Sequence, residues 1–159
     1  MLGAWINSLL ERLGLRPSNL GGPSRRAGHA ANIGAWGERE AEKMLRQKGY
    51  AIIGRNVVTP HGEADLVCRD PDGRTMVIVE VKSRVVRGEG IHHRPERAVD
   101  RSKSARLRRI ARGLRGANGW WDRHVRVDVV AVERVGDETQ GQIQTRHHEG
   151  LVRLSARRA

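Results

Sequence analysis

A chain of 159 residues, 38% hydrophobic, with 30 Lys and Arg against 18 Asp and Glu, holds one domain with a core and leaves little room for a second. Its formal charge of +12 and pI near 11.4 make a polyanion, nucleic acid foremost and DNA favoured, the first partner to consider, although an arginine-biased composition gives the same charge without any binding. The single cysteine, Cys68, excludes a disulfide framework and a Cys-based zinc site, and no apolar run reaches the ~18 residues of a membrane span, so a soluble, cytoplasmic protein is expected.

In MLGAWINSLLERLGL the residues Leu2, Trp5, Ile6, Leu9, Leu10 and Leu13 recur at three- and four-residue steps, which predicts an amphipathic helix. Such a helix docks on its own domain, on a protein partner or on a membrane surface. RPSNLGGPSRRAGHA follows without periodicity and reads as a linker, so residues 1–33 stand apart from a domain at 34–154 with a basic tail at 155–159. Gly34 to Gly49 is helical, with Ala41, Met44 and Leu45 on one side and Gly49 as its stop.

Three β-branched runs come next: YAIIGRNVV, GEADLVCR and RTMVIVEVKSR. The last two flank Asp70-Pro71-Asp72-Gly73, whose Pro at the second position and Gly at the fourth suit a type I turn and an antiparallel hairpin. PERAVDRSKSARLRRIARGLRG returns to helical spacing through Leu107, Ile110, Ala111 and Leu114. HVRVDVVAVERV is a fourth strand, and GQIQTRHHEGLVRL a weaker edge strand. The order α-β-β-β-α-β-β predicts an α/β fold, a central mixed sheet flanked by helices.

The two hairpin strands carry charges where a buried strand should carry none. Side-chain alternation sends Glu63 and Asp65 one way and Ala64, Leu66 and Cys68 the other; it likewise puts Glu80 and Lys82 opposite Val77, Val79 and Val81. Paired through the turn, the strands bring three carboxylates and an ammonium to one sheet face. Carboxylates about 4 Å apart repel by roughly 4 kcal/mol per pair at an effective dielectric near 20. Lys82 relieves this as a plain ion cluster with Glu80 and Asp65, or a divalent cation does. Buried ion clusters are weak devices for stability, whereas carboxylate oxygens are hard ligands suited to Mg²⁺ or Mn²⁺. With such an ion, a lysine that orients water or neutralises phosphate charge completes phosphodiester hydrolysis chemistry. Only four of the basic residues are lysine, Lys43, Lys48, Lys82 and Lys103, which singles out Lys82 as a compact ammonium inside a strand.

An acid on one strand followed by Glu-x-Lys on the next, here Asp65 and then Glu80-Val81-Lys82, resembles the PD-(D/E)XK nuclease superfamily. The wider string GAWGEREAEKMLRQKGYAIIGRNVVTPHGEADLV, VIVEVKSR, AVDRSKSARLRRIA and VRVDVVAV resembles the YraN-like family along residues 34–154, similar to Holliday-junction resolvases and restriction-endonuclease-like in fold. The resemblance implies Asp65 and Glu80 as metal ligands with the backbone carbonyl of Val81, and Lys82 as the water-orienting or charge-stabilising residue. It makes Glu38 the helix acid that completes the site, although a glutamate near a helix start is also ordinary dipole chemistry. Glu63 of Gly-Glu-x-Asp is a ligand or supports one. Ala64 replaces the motif's proline, which carries no chemistry, and the literal Pro71-Asp72 lies in the turn as a decoy.

In the second helix, Arg106, Arg109 and Arg112 form one series and Arg108, Arg112 and Arg115 another; with Lys103 they could follow a phosphate backbone or simply face solvent. Trp120 and Trp121 stack on bases or pack at the sheet edge. Asp128 is expected to pair with an arginine rather than a metal, and the pairs His92-His93 and His147-His148 receive no metal. The expected function is a Mg²⁺- or Mn²⁺-dependent endonuclease acting on structured or damaged DNA. The alternative is a non-catalytic nucleic-acid-binding protein on the same fold. Homodimerisation and a protein partner for the N-terminal helix stay open.

Overall fold

A computed structural model of the chain describes residues 29–86, 101–136 and 141–157, with side chains excepted at 29–32 and 101–103. The expected N-terminal helix, the linker up to residue 28 and His92-His93 lie outside these residues, while His29 and Ala30, expected in the linker, are already helical. The elements are α1 (His29–Gln47), β1 (Ala51–Thr59), β2 (Gly62–Arg69), β3 (Thr75–Val86), α2 (Arg101–Ala117), a short 3-10 turn (Trp120–Asp122), β4 (His124–Val135) and β5 (Gln142–Leu154). This is the expected order, and the weak fifth strand is a full-length edge strand. No helix among the described residues is long and apolar enough to cross a membrane.

The five strands lie in sequence order; β3 and β4 are parallel and every other pair is antiparallel. A parallel pair needs a crossover, which α2 supplies. The first half of β3, central and covered on both faces, is correspondingly the unbroken apolar run Met76 to Val79. Ala41 and Leu45 of α1 pack on Leu66, Cys68, Val77, Val79, Val130 and Val132. Leu107, Ile110, Ala111 and Leu114 of α2 pack on Val67, Met76, Ile78, Val125, Val127 and Val152 of the opposite face. These are the apolar stripes that the helical spacing marks.

Two glycines set where α1 lies. Gly49, at φ 85°, ends the helix in the left-handed conformation that lets Gly49 and Tyr50 N–H groups return to the carbonyls of Arg46 and Leu45. At Gly37 a Cβ would stand 2.3 Å from Ser83 Cβ, so only glycine allows this close approach of α1 to β3. Ser83 Oγ donates to the Ile33 carbonyl and pins the same contact. The hairpin turn forms as its residues require, with Gly73 N–H donating to Asp70 O at 2.9 Å. Asp72 caps Arg74 and Thr75 there, which disposes of Pro71-Asp72 as a site.

Asp128 is fully buried and answers its burial with Arg126 Nε at 2.8 Å, His147 Nε2 at 2.8 Å and the Gly150 N–H at 2.9 Å. These partners hold its carboxyl below the ordinary range although burial pushes it up. The expected arginine partner is therefore present, and His147 adds a second.

Candidate active site

The β2–β3 ladder ends at the pair Leu66 and Val79. One residue further Asp65 turns its carboxylate into the gap, and Asp65 Oδ2 accepts the Val81 N–H at 2.6 Å. A side chain thus takes the backbone donor that a continuing strand would have used. The strands part at this point, and the charged residues of the hairpin gather around the opening.

The parting breaks the strict alternation expected for β2. Ala64 packs with the α2-side core, whereas Leu66 and Cys68 pack with the α1-side core. The four charges accordingly do not line one flat face. Glu80, 8% exposed, projects on the α2 side, where Lys82 Nζ lies 2.5 Å from Glu80 Oε1 and Arg106 lies 3.8 Å from Glu80 Oε2. Glu63 instead keeps company with Glu38 of α1. With its amide nitrogen turned toward them, the orientation that satisfies both acids, Asn56 donates to Glu63 Oε1 at 3.2 Å and Glu38 Oε2 at 3.3 Å. Asp65 stands within the electrostatic reach of Glu80, Glu38 and Lys82.

Ionisation follows this crowding. Burial pushes the Asp65 carboxyl up to about 7, Glu80 and Glu38 push it the same way, and the Val81 hydrogen bond and Lys82 oppose them. Burial also raises Glu38, with Glu63 adding to it and the Asn56 and Arg39 interactions opposing. Burial and the neighbouring acids thus outweigh what Lys82 and the Val81 N–H supply to this carboxyl. The available donors, carboxylates of Asp65 and Glu80 beside the Val81 backbone, are all oxygen, which fits a hard divalent cation that keeps several waters. Among the described residues no three His, Cys, Asp or Glu side chains converge on one point. Lys82 occupies one of the two carboxylates, that of Glu80, and Asp65 takes the Val81 N–H.

On α2, Arg106, Arg108, Arg109 and Arg112 are exposed, while the side chain of Lys103 lies outside the described residues. Arg106 departs from a simple helical track, because it lies against Gly62 and reaches toward Glu80. Arg115 does not belong to the series at all. It is 7% exposed and donates to the carbonyls of Trp120, Trp121, Arg123 and Ser155, tying α2 to the turn and to the end of β5. Helical spacing alone cannot separate it from Arg108 and Arg112. Trp120 packs on the α2-side core, and Trp121 is exposed between Arg115 and Arg157, at 5.6 and 4.6 Å from its ring.

Asn56 was missed from sequence. The only signal was a turn-favouring residue inside an otherwise β-branched run.

A model of the Uncharacterised protein family UPF0102 matches residues 37–132, a stretch that contains Glu38, Asn56, Glu63, Asp65, Glu80, Lys82 and the exposed arginines of α2. A UPF0102 protein of Beutenbergia cavernae is 47% identical over 102 residues, covering 64% of this chain and 82% of that protein. One of Syntrophotalea carbinolica is 38% identical over 110 residues, covering 69% and 85%. One of Rhodococcus opacus is 41% identical over 117 residues, covering 73% and 93%.

Proposed function

The chain belongs to the UPF0102 family, the YraN-like branch of the PD-(D/E)XK superfamily, and from that premise we propose that it is a metal-dependent endonuclease hydrolysing phosphodiester bonds of structured or damaged DNA. The observation that carries this reading is the parting of β2 from β3 at Asp65, which sets two carboxylates from neighbouring strands beside Lys82 at an opening in the sheet.

Asp65 and Glu80, with the Val81 backbone, would hold Mg²⁺ or Mn²⁺. When bound, such an ion supplies a water of lowered pKa and neutralises charge on the phosphate. Lys82, once released from Glu80, has its ammonium free to orient the attacking water or to meet the non-bridging phosphate oxygens. Glu38 and Glu63 complete the acidic wall on the α1 side. The exposed arginines of α2 supply salt-dependent, mostly sequence-blind affinity for the backbone, and Arg106 connects that surface to Glu80.

A non-catalytic nucleic-acid-binding protein on this fold is the second reading, favoured by the Lys82–Glu80 ion pair. Incubating the protein with branched, flapped and linear DNA, with Mg²⁺ or Mn²⁺, beside Asp65→Ala and Lys82→Ala, separates the two. Metal-dependent cleavage lost by roughly 10²-fold or more in both variants supports the nuclease. Cleavage that survives both substitutions refutes the site. Equal DNA binding by all three proteins without any cleavage establishes the second reading.

A further inference from the structure

Asn56 is the only non-glycine with a positive φ among the described residues, at 48°. Asparagine enters this left-handed region more readily than other side chains, yet glycine enters it more readily still. The backbone alone would therefore be served by Gly, and the amide needs its own explanation. Register places Asn56 across from Asp65, between the pairs Arg55 with Leu66 and Val57 with Ala64. From there, in the amide orientation that satisfies both acids, its nitrogen stands 3.2 Å from Glu63 Oε1 and 3.3 Å from Glu38 Oε2, one acid on β2 and the other on α1. An amide nitrogen carries two hydrogens, one for each carboxylate. Without that donor, two like charges from separate elements face each other with nothing between them.

We propose that Asn56 is a positioning residue of this site, its single amide tying Glu38 of α1 to Glu63 of β2 and fixing both acids beside Asp65. The left-handed backbone at residue 56 aims the amide into the gap, and the αL conformation is kept because a short polar side chain tolerates it. The inference rests on the nuclease reading for its consequence in catalysis, but the contact itself does not. Asn56 acts through the acids and touches no substrate. Partners that orient acidic ligands in this way change metal affinity or activity by about 10- to 100-fold when removed.

Asn56→Gly separates backbone from amide, since Gly keeps the left-handed conformation and removes the donor. The expected result is a melting temperature close to that of the wild type, the easier left-handed backbone of Gly offsetting the lost amide contacts, with kcat lower by about 10- to 100-fold, an unchanged KM for DNA, and a higher Mn²⁺ concentration for half-maximal activity. A kcat within twofold of the wild type overturns the proposal, as does a loss that tracks a fall in melting temperature. NMR of the metal-free full-length protein reads the contact without any reaction. The two Asn56 side-chain amide protons are expected to be protected from exchange, and Glu38→Ala and Glu63→Ala each to shift a different one. Amide protons indifferent to both substitutions overturn the proposal. Wild-type protein that cleaves no DNA refutes the nuclease reading alone, because shifted amide protons would still establish the tie.

Discussion

Replacing Asp65 by Asn is expected to stabilise the protein at alkaline pH while removing its proposed activity. Burial and two neighbouring carboxylates raise the Asp65 carboxyl from 3.8 to about 7 in the folded chain. A folded pKa above the unfolded one means that the stability associated with the protonated acid is fully present below about 4 and is lost as the pH rises through about 7. Above that window the charged aspartate costs the fold about 4 kcal/mol at 1.36 kcal/mol per pH unit. Asn carries no charge and keeps an oxygen for the Val81 N–H, though a neutral acceptor gives up about 1 kcal/mol of that hydrogen bond. The net expectation at pH 8.5 is that Asp65→Asn is more stable by about 3 kcal/mol, or roughly 6–12 °C in Tm. At pH 4 the advantage is absent and the variant is equal or slightly weaker. Urea denaturation of both proteins from pH 4 to pH 8.5 measures this directly. Adding Mg²⁺ or Mn²⁺ at pH 8.5 should narrow the gap by stabilising the wild type alone. A variant less stable than the wild type at pH 8.5, or an advantage that does not grow between pH 4 and pH 7, would refute the crowding of acids inferred at this site.

Gly37→Ala forces a methyl to within 2.3 Å of Ser83 Cβ, so α1 must move off β3; a loss of about 1–3 kcal/mol is expected in denaturation, with cleavage reduced because Glu38 moves too. Arg115→Ala takes a buried shared donor from the carbonyls of Trp120, Trp121, Arg123 and Ser155 and should cost about 1.5–3 kcal/mol while leaving the salt dependence of DNA binding unchanged. Arg109→Ala, on the exposed side of the same helix, should do the reverse: unchanged melting, and a slope of log affinity against log salt smaller by about 1. Asp128→Ala takes the acid from buried His147 and one of three from Arg126, which keeps Asp70 at 2.9 Å and Glu149 at 3.2 Å, and equilibrium unfolding should show a loss of about 2–3 kcal/mol.

Much of this architecture was legible in the chain because local signals and global packing agree. Leu107, Ile110, Ala111 and Leu114 fall at helical spacing and are the apolar residues that α2 buries, and Asp70 to Gly73 turns where its Pro and Gly require. Asp65, Glu80 and Lys82 stood out because charge inside an apolar strand is costly; Lys82 pairs with Glu80, and both act electrostatically on Asp65 where the two strands part. Alternation failed at Ala64 because it assumes a ladder that continues, whereas Asp65 itself ends the ladder by taking the Val81 N–H. No pattern in one strand announces that its neighbour will leave. Arg115 looked like Arg108 and Arg112 for a related reason: spacing locates a residue on a helix, but the carbonyls that capture it come from residues 120–123 and from Ser155, beyond the reach of periodicity. Asn56 gains its meaning only from α1 and β2 closing around it.

Cleavage of a branched DNA by purified wild-type protein with and without Mn²⁺, alongside Lys82→Ala, is the most direct test of the proposed site. Expected is metal-dependent cleavage by the wild type and a rate lower by about 10²-fold or more in the variant, with DNA affinity little changed. Cleavage at an equal rate by Lys82→Ala, or no cleavage by a wild type that binds both the DNA and the ion, would contradict it.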